Sequence, residues 1–361
     1  VTDHSLGIPA DLGAAWLHFA DQNAWTGIAE AAGFTVLRRE PGWGANAGIG
    51  GRLPTPAERA VAEQGYLRYQ EHLDAVADHD VPVSEAIPTD AYRSRFDAIM
   101  TWAVGVESRE VSTLDLARYA DSEHNWAVRE GLGTAVAAAA AGLNIALQTE
   151  VTAIDWSGSC VRIASSGGDI EAGAVIITVP TSVLARAAIR FTPVLPPAYT
   201  QAFNNLPLGV ANKVFYRLQP QQLPDTAMSH FLGRVDTSRT CSYLVRPAAQ
   251  PLLCAYFGGD LSRELEQRGE LDAFARGELQ QMLGAEFVAS LGPALTTAWG
   301  SDPYACGSYS AARPGHADCR GALATPVTPR LQFAGEACST QHYGTLHGAW
   351  LSGCAAAERL L

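Results

Sequence analysis

Residues 174–179 read AVIITV, a run with no charged side chain and no polar face to offer water. A strand written this way has to be covered on both sides, the condition of a central strand in a parallel sheet layered by helices. A second buried-strand pattern, LQFAGE at 331–336, runs directly into the Ala/Gly/Ser-rich segment that closes the chain. Parallel strands need long crossovers, usually helical, so the two runs together predict an α/β architecture.

The rest of the chain supplies the elements around them. Residues 1–37 pass through DLGAAWLHF into a helix-like NAWTGIAEAAG and a short strand FTVL. The Gly- and Pro-rich stretch REPGWGANAGIGGRLPTPAER then reads as a long surface connection and a domain crossing. Apolar positions at helical spacing in AERAVAEQGYLRYQEHLDAVADH and RFDAIMTWAVGV predict a mostly helical subdomain over residues 59–125. From residue 126 a small-residue helix precedes strands at IALQ, VTAIDW and VRIAS. Residues 200–245 look strand-rich around KVFYRL, and residues 262–290 look helical.

A formal net charge of -12, with 25 Lys and Arg against 37 Asp and Glu, argues against a nucleic-acid or anionic-membrane surface and favours a cationic small molecule. The 7 cysteines are odd in number, scattered, and lack the spacing of a metal site. They read as reduced thiols, and no metal is expected. No apolar run reaches the roughly 18 residues of a membrane span, and the first residues lack a basic, apolar leader. A cytoplasmic protein is expected.

Three stretches together resemble the flavin-containing amine oxidase family: FAGEACSTQHYGTLHGAWLSGCAAAERL; LQTEVTAID with GAVIITVPTSVL and FTPVLPP after it; and DLGAAWLH, with DPYACGSYS as support. Their order and spacing follow the family over nearly the whole chain. The resemblance implies a Rossmann-like FAD domain interleaved with an α+β substrate domain. Residues 1–40, 126–196 and 295–361 would belong to the FAD domain, residues 41–125 to the helical part of the substrate domain, and residues 197–294 to its sheet and helices. One departure stands out. The family begins with a strand and a GxGxxG turn whose glycines let backbone approach the cofactor pyrophosphate, and that first βαβ unit has no counterpart here. The glycines of GWGANAGIGG at 42–51 follow Pro41, precede PTPAER, and lack an acid-tipped strand about 20 residues on, so they read as a loop. A preceding segment or a second chain would have to supply the unit.

Site residues follow from the same resemblance. Gly335 and Glu336 would hold the ribose or phosphate region of FAD, and Val151 would meet the adenine through its backbone. Ala14, Ala15 and Trp16 would line the flavin. Thr345, Leu346 and Ala349 open a helix whose N-terminal N–H groups would face the flavin pyrimidine edge, where the reduced ring is negative. On that helix Gly348, Ser352 and Ala356 make one small-residue stripe and Ala349, Gly353 and Ala357 a second. Such stripes admit a close backbone or a flat ring. Lys213, a cation inside the apolar run LGVANKVFYRL, has to be exposed at an edge, paired, or at a site. The resemblance places it near flavin N5 and links it to reoxidation by O2. His18 is the candidate for substrate positioning or proton transfer, in a segment where Phe19 stands at the family's usual glycine. Trp299 and Tyr309 would form an aromatic wall beside the flavin, Trp299 as a cofactor-binding residue and Tyr309 in the substrate pocket. Thr345 replaces the tyrosine of monoamine oxidases, which points to the polyamine or amino-acid branch. Cys306 is one residue from the cysteine of covalent-flavin members, so non-covalent FAD is expected.

The activity implied is oxidation of a small-molecule amine to an imine, with O2 reoxidising the flavin to give H2O2. A desaturase or protoporphyrinogen-type oxidoreductase shares the two-domain plan, and a non-catalytic fragment or partner subunit is the reading that follows from the missing turn.

Overall fold

The computed structural model describes residues 1–44, 47–223 and 229–361. Ala45 and Asn46 of the glycine-rich connection, and residues 224–228 of the strand-rich stretch, lie outside the described residues.

The two apolar runs meet. Strand Val175–Ile177 pairs in parallel with Leu331–Phe333, in the register Val175↔Leu331 and Ile177↔Phe333. Ile177, Leu331 and Phe333 are buried in one cluster with Tyr199, Phe203 and Leu323, contributed by helices Pro197–Asn205 and Cys319–Ala324. Beside it a 4-stranded sheet runs Arg190–Thr192, Val151–Asp155, Val161–Ser165, Gly168–Ala172. A 3-stranded sheet sets Asn125–Val128 between Leu17–His18 and Val36–Leu37, which joins the start of the chain to its middle.

The other half is a 6-stranded sheet in the order Leu295–Thr296, Ala211–Arg217, Leu252–Gly258, Ser242–Val245, His230–Leu232, Gly48–Ile49. One face carries Val214, Tyr216, Phe231, Tyr243 and Phe257 onto helices Gly259–Arg268 and Leu271–Leu283. Alternation then turns Lys213, Tyr256, Ser242 and His230 to the opposite face. Helix Arg93–Val104 lies close against that sheet, because a Cβ at Gly258 would collide with the carbonyl of Thr101. The longest helix, Pro56–Asp74, starts where Pro favours a first turn. Thr55 and Glu58 cap each other's backbone N–H there.

Several expectations change. IALQ forms no strand, and Ile145 and Leu147 are exposed. NWAV, given no element of its own by the sequence, is strand Asn125–Val128. Strand Leu252–Gly258 has no counterpart in the sequence reading. Leu295–Thr296, expected with the closing FAD-domain segment, and Gly48–Ile49, expected within a helical part, are the two edge strands of the 6-stranded sheet. Both are only two residues long, too short for alternation to show. Among the described residues no helix is long and apolar enough to cross a membrane, and no group of three or more His, Cys, Asp or Glu is placed to hold a metal ion.

Candidate active site

Lys213 sits mid-strand in Ala211–Arg217, bonded on one side to Leu252–Gly258 and on the other to Leu295–Thr296, so it is not at a sheet edge. It is the only lysine in the sequence. Its side chain is 9% exposed, and Nζ donates to the carbonyl oxygens of Asp11 (2.9 Å) and Gly13 (2.6 Å). Burial lowers its pKa, since removal from water disfavours the charged form. Trp299 takes the carbonyl between them: its Nε1 donates to Leu12 O at 3.0 Å, while its own N–H is held by Asn212 Oδ1. Three consecutive carbonyls of the 11–13 loop are thereby fixed to the sheet half. From the other side the Asp11 carboxylate accepts the Leu132 and Gly133 N–H groups at the start of helix Leu132–Ala139. Past this clamp Ala14 is exposed and Ala15 and Trp16 are half-buried, with Trp16 edge-on to Trp43 at 5.1 Å.

Tyr256 lies directly across the sheet from Lys213. The Tyr309 hydroxyl donates to Trp102 O at 2.7 Å, so the Tyr256 hydroxyl donates to Tyr309 at 2.9 Å. Burial raises both phenols, Tyr256 to about 12, which keeps them protonated donors at neutral pH. Next in sequence, Ser310 donates its N–H to Glu336 Oε1 (2.9 Å) and its hydroxyl to Glu336 Oε2 (2.8 Å), and Gly344 N–H donates to Oε2 at 2.6 Å. Lys213 and Trp299 thus hold the 11–13 loop, while Tyr256, across the sheet from Lys213, links through Tyr309 and its neighbour Ser310 to Glu336, although more than 300 residues separate Asp11 from Glu336 in the chain.

The closing helix is Leu346–Glu358, capped by Thr345, whose hydroxyl oxygen accepts the Gly348 N–H at 2.9 Å. The first small-residue stripe packs against its own chain: a Cβ at Gly348 would strike His342 O, Ser352 Oγ bonds both N–H and O of Gly335, and Ala356 is buried. The second is more open, with Ala349 and Gly353 half-buried and Ala357 exposed. The first-turn N–H groups of Leu346 and His347 have no acceptor among the described residues. A Cβ placed on Gly335 would meet nothing within 4 Å. Free donors at a helix N-terminus beside open backbone suit the anion-stabilising end of a reduced flavin. The 42–51 glycines give no such cradle, because they run into strand Gly48–Ile49 and the next helix begins only at Pro56.

His18 Nδ1 lies 2.5 Å from Asn125 Oδ1 and donates to it, which leaves Nε2 as the free acceptor. Burial lowers its pKa and favours the neutral ring. No hydrogen bond joins His18 to Lys213, Tyr309 or Glu336 among the described residues, and none joins Val151, at the start of strand Val151–Asp155, to Glu336. Phe19, in place of glycine, holds φ at 54°, a left-handed conformation that suits glycine. Its ring compensates by packing on His342 (4.4 Å) and His347 (5.5 Å).

Sequence reasoning missed Tyr256, Ser310 and Arg320. A lone hydroxyl in the apolar LLCAYFG was the available signal for Tyr256. Nothing local marks the other two. Cys306 is buried, and its Sγ lies 3.3 Å from Pro303 O.

The sequence pattern of the family described as "Flavin containing amine oxidoreductase" matches residues 83–361. "Polyamine oxidase 4" of Oryza sativa subsp. japonica is 29% identical over 400 residues, spanning 99% of this chain and 80% of that protein. "Lysine-specific histone demethylase 1 homolog 2" of Arabidopsis thaliana is 32% identical over 235 residues, 62% of this chain and 31% of that protein. The solved cyclohexylamine oxidase from Brevibacterium oxydans IH-35A superposes with a TM-score of 0.80 at 18% identity, covering 100% of this chain and 90% of that one, so the fold is shared.

Proposed function

The chain belongs to the flavin-containing amine oxidoreductase family and is a flavin-dependent amine oxidase, and from that premise we propose that its substrate is a polyamine or related cationic amine, oxidised to an imine with O2 as electron acceptor and H2O2 as product. The observation that carries the reading is the buried Lys213 and Trp299 bonded to the 11–13 loop, with Tyr256, Lys213's partner across the sheet, bonded to Tyr309, and Ser310, next to Tyr309, bonded to Glu336. When bound, FAD supplies the two-electron acceptor and the reaction with O2. Glu336 and Gly335 would hold its ribose or phosphate region, the helix N-terminus at Thr345, Leu346 and Ala349 would face its flavin end, Ala14 to Trp16 and Trp299 would line the flavin, and Val151 would meet the adenine. Cys306 bonded to Pro303 supports non-covalent binding. The pyrophosphate cradle is assigned to a glycine-rich turn outside these 361 residues, on a preceding segment or a second chain.

The chain's own side chains then act on the amine. His18 takes the ammonium proton at Nε2, leaving a free amine able to lose hydride from its α-carbon. Trp299 and Tyr309 wall the pocket and exclude water. The cation of Lys213 stabilises negative charge that develops as O2 is reduced. An amine that also bears an anionic group is the second reading. Arg95 favours it, because its guanidinium is 8% exposed, makes one 3.4 Å bond, to Gly44 O, and leaves Nε without an acceptor among the described residues.

The test is a peroxide-detecting panel run on protein purified with FAD: di- and polyamines, monoamines, and amino acids. Turnover of polyamines is the expected result. Turnover confined to amines with a carboxylate, and lost in Arg95→Met, would select the second reading. A yellow protein, with bands at roughly 370 and 450 nm, that produces no peroxide from any amine would overturn both.

A further inference from the structure

A buried ion pair stands behind Glu336. Arg320, 0% exposed, binds Asp115 through both edges of its fork, Nε to Oδ1 at 2.7 Å and Nη2 to Oδ2 at 2.8 Å, and its guanidinium lies 3.7 Å from the Tyr343 ring centroid. The remaining nitrogen, Nη1, donates to Ser310 Oγ at 2.8 Å. A guanidinium only donates, so the Ser310 hydroxyl hydrogen has one direction left, toward Glu336 Oε2. Glu336 in turn accepts the Gly344 N–H, one residue before the cap of the closing helix. The chain of bonds runs from helix Thr113–Arg118 through Arg320, Ser310 and Glu336 to the N-terminus of Leu346–Glu358.

We propose that Arg320 and Ser310 are positioning residues: they lock the rotamer of Glu336 and, through Gly344, set the N-terminus of the closing helix at the flavin end of FAD. The proposal rests on the reading that Glu336 faces FAD. A buried Arg–carboxylate pair adds little net stability over an apolar substitute. Its fork geometry instead fixes direction, which a lysine ammonium does not reproduce. Asp115 holds the fork, and the Tyr343 hydroxyl bonds the Asp115 carbonyl at 3.0 Å, so the positioning extends to the loop that carries Gly344.

The test measures FAD dissociation by fluorescence in the FAD-loaded protein, alongside melting temperature, for Glu336→Gln, Ser310→Ala, Arg320→Lys and the double variants with Glu336→Gln. Ser310→Ala keeps the ion pair and is the variant least exposed to misfolding. Ser310→Ala and Arg320→Lys are each expected to weaken FAD binding by roughly tenfold, the loss of one hydrogen bond to a charged group. In the Glu336→Gln background each is expected to add less than about threefold, because groups acting in one network are not additive. Melting temperatures that fall with no change in FAD dissociation, or effects that add in full, would overturn the positioning role while leaving Glu336 as a cofactor contact. Unchanged FAD dissociation in Glu336→Gln itself would overturn both.

Discussion

Lys213 exchanges water for two peptide carbonyls, and this exchange makes a buried cation tolerable. Lys213→Met would leave Asp11 O and Gly13 O without their donor, at about 1–3 kcal/mol for each acceptor. Relief of the buried charge offsets part of that. The denaturation midpoint is expected to fall, and stopped-flow is expected to show flavin reoxidation by O2 slowed more than flavin reduction by amine. Equal slowing of both would remove the charge from the oxygen step and leave Lys213 a clamp. At this scale the sequence was informative where a residue clashed with its neighbours. A lysine inside NKVFYR announces itself, and so does a phenylalanine where glycine is usual, which the structure answers with a left-handed backbone at Phe19. Arg320 gave no sign, because what makes it unusual is Asp115, 205 residues away in the chain.

Among the elements, helix Arg93–Val104 couples packing to the site, since Trp102 O anchors the Tyr309 hydroxyl and Thr101 O fills the space beside Gly258. Gly258→Ala forces the helix off the sheet. Overpacking of this kind costs about 1–3 kcal/mol, so a lower denaturation midpoint is expected together with a raised KM for amine as Tyr309 loses its anchor. A variant with wild-type midpoint and KM would show that the contact yields without cost. The long apolar or periodic elements were legible: AVIITV and LQFAGE as buried strands, the helices at 56–74, 93–104 and 346–358, and the strand through KVFYR. Short strands were not, because Asn125–Val128 spans four residues and alternation needs more. IALQ misled for the opposite reason, with an apolar pattern that the fold leaves on the surface.

Across the whole molecule, the chain threads back and forth between its two halves, and the bonds that join them come from both. Lys213 and Trp299 of the sheet half hold the 11–13 loop, and Arg320 reaches Asp115 in helix Thr113–Arg118. Halves tied in this way are expected to unfold together. Heating the FAD-loaded protein should give coincident transitions in far-UV circular dichroism and tryptophan fluorescence, and two separated transitions would show that each half is stable alone. Motif order suggested interleaved halves, and the pairing of the edge strands Gly48–Ile49 and Leu295–Thr296 with the 6-stranded sheet was not legible, because pairing between distant strands leaves no local trace.

A solitary lysine, turned inward and bonded at its tip, also shapes how this enzyme meets its own product. On the polyamine reading proposed above, hydrolysis of the imine would release an aldehyde, and aldehydes condense with uncharged primary amines. Every other Lys or Arg position in the chain is arginine, whose guanidinium stays protonated. Within these 361 residues no side chain other than Lys213 offers an amine for that aldehyde to modify as turnover proceeds.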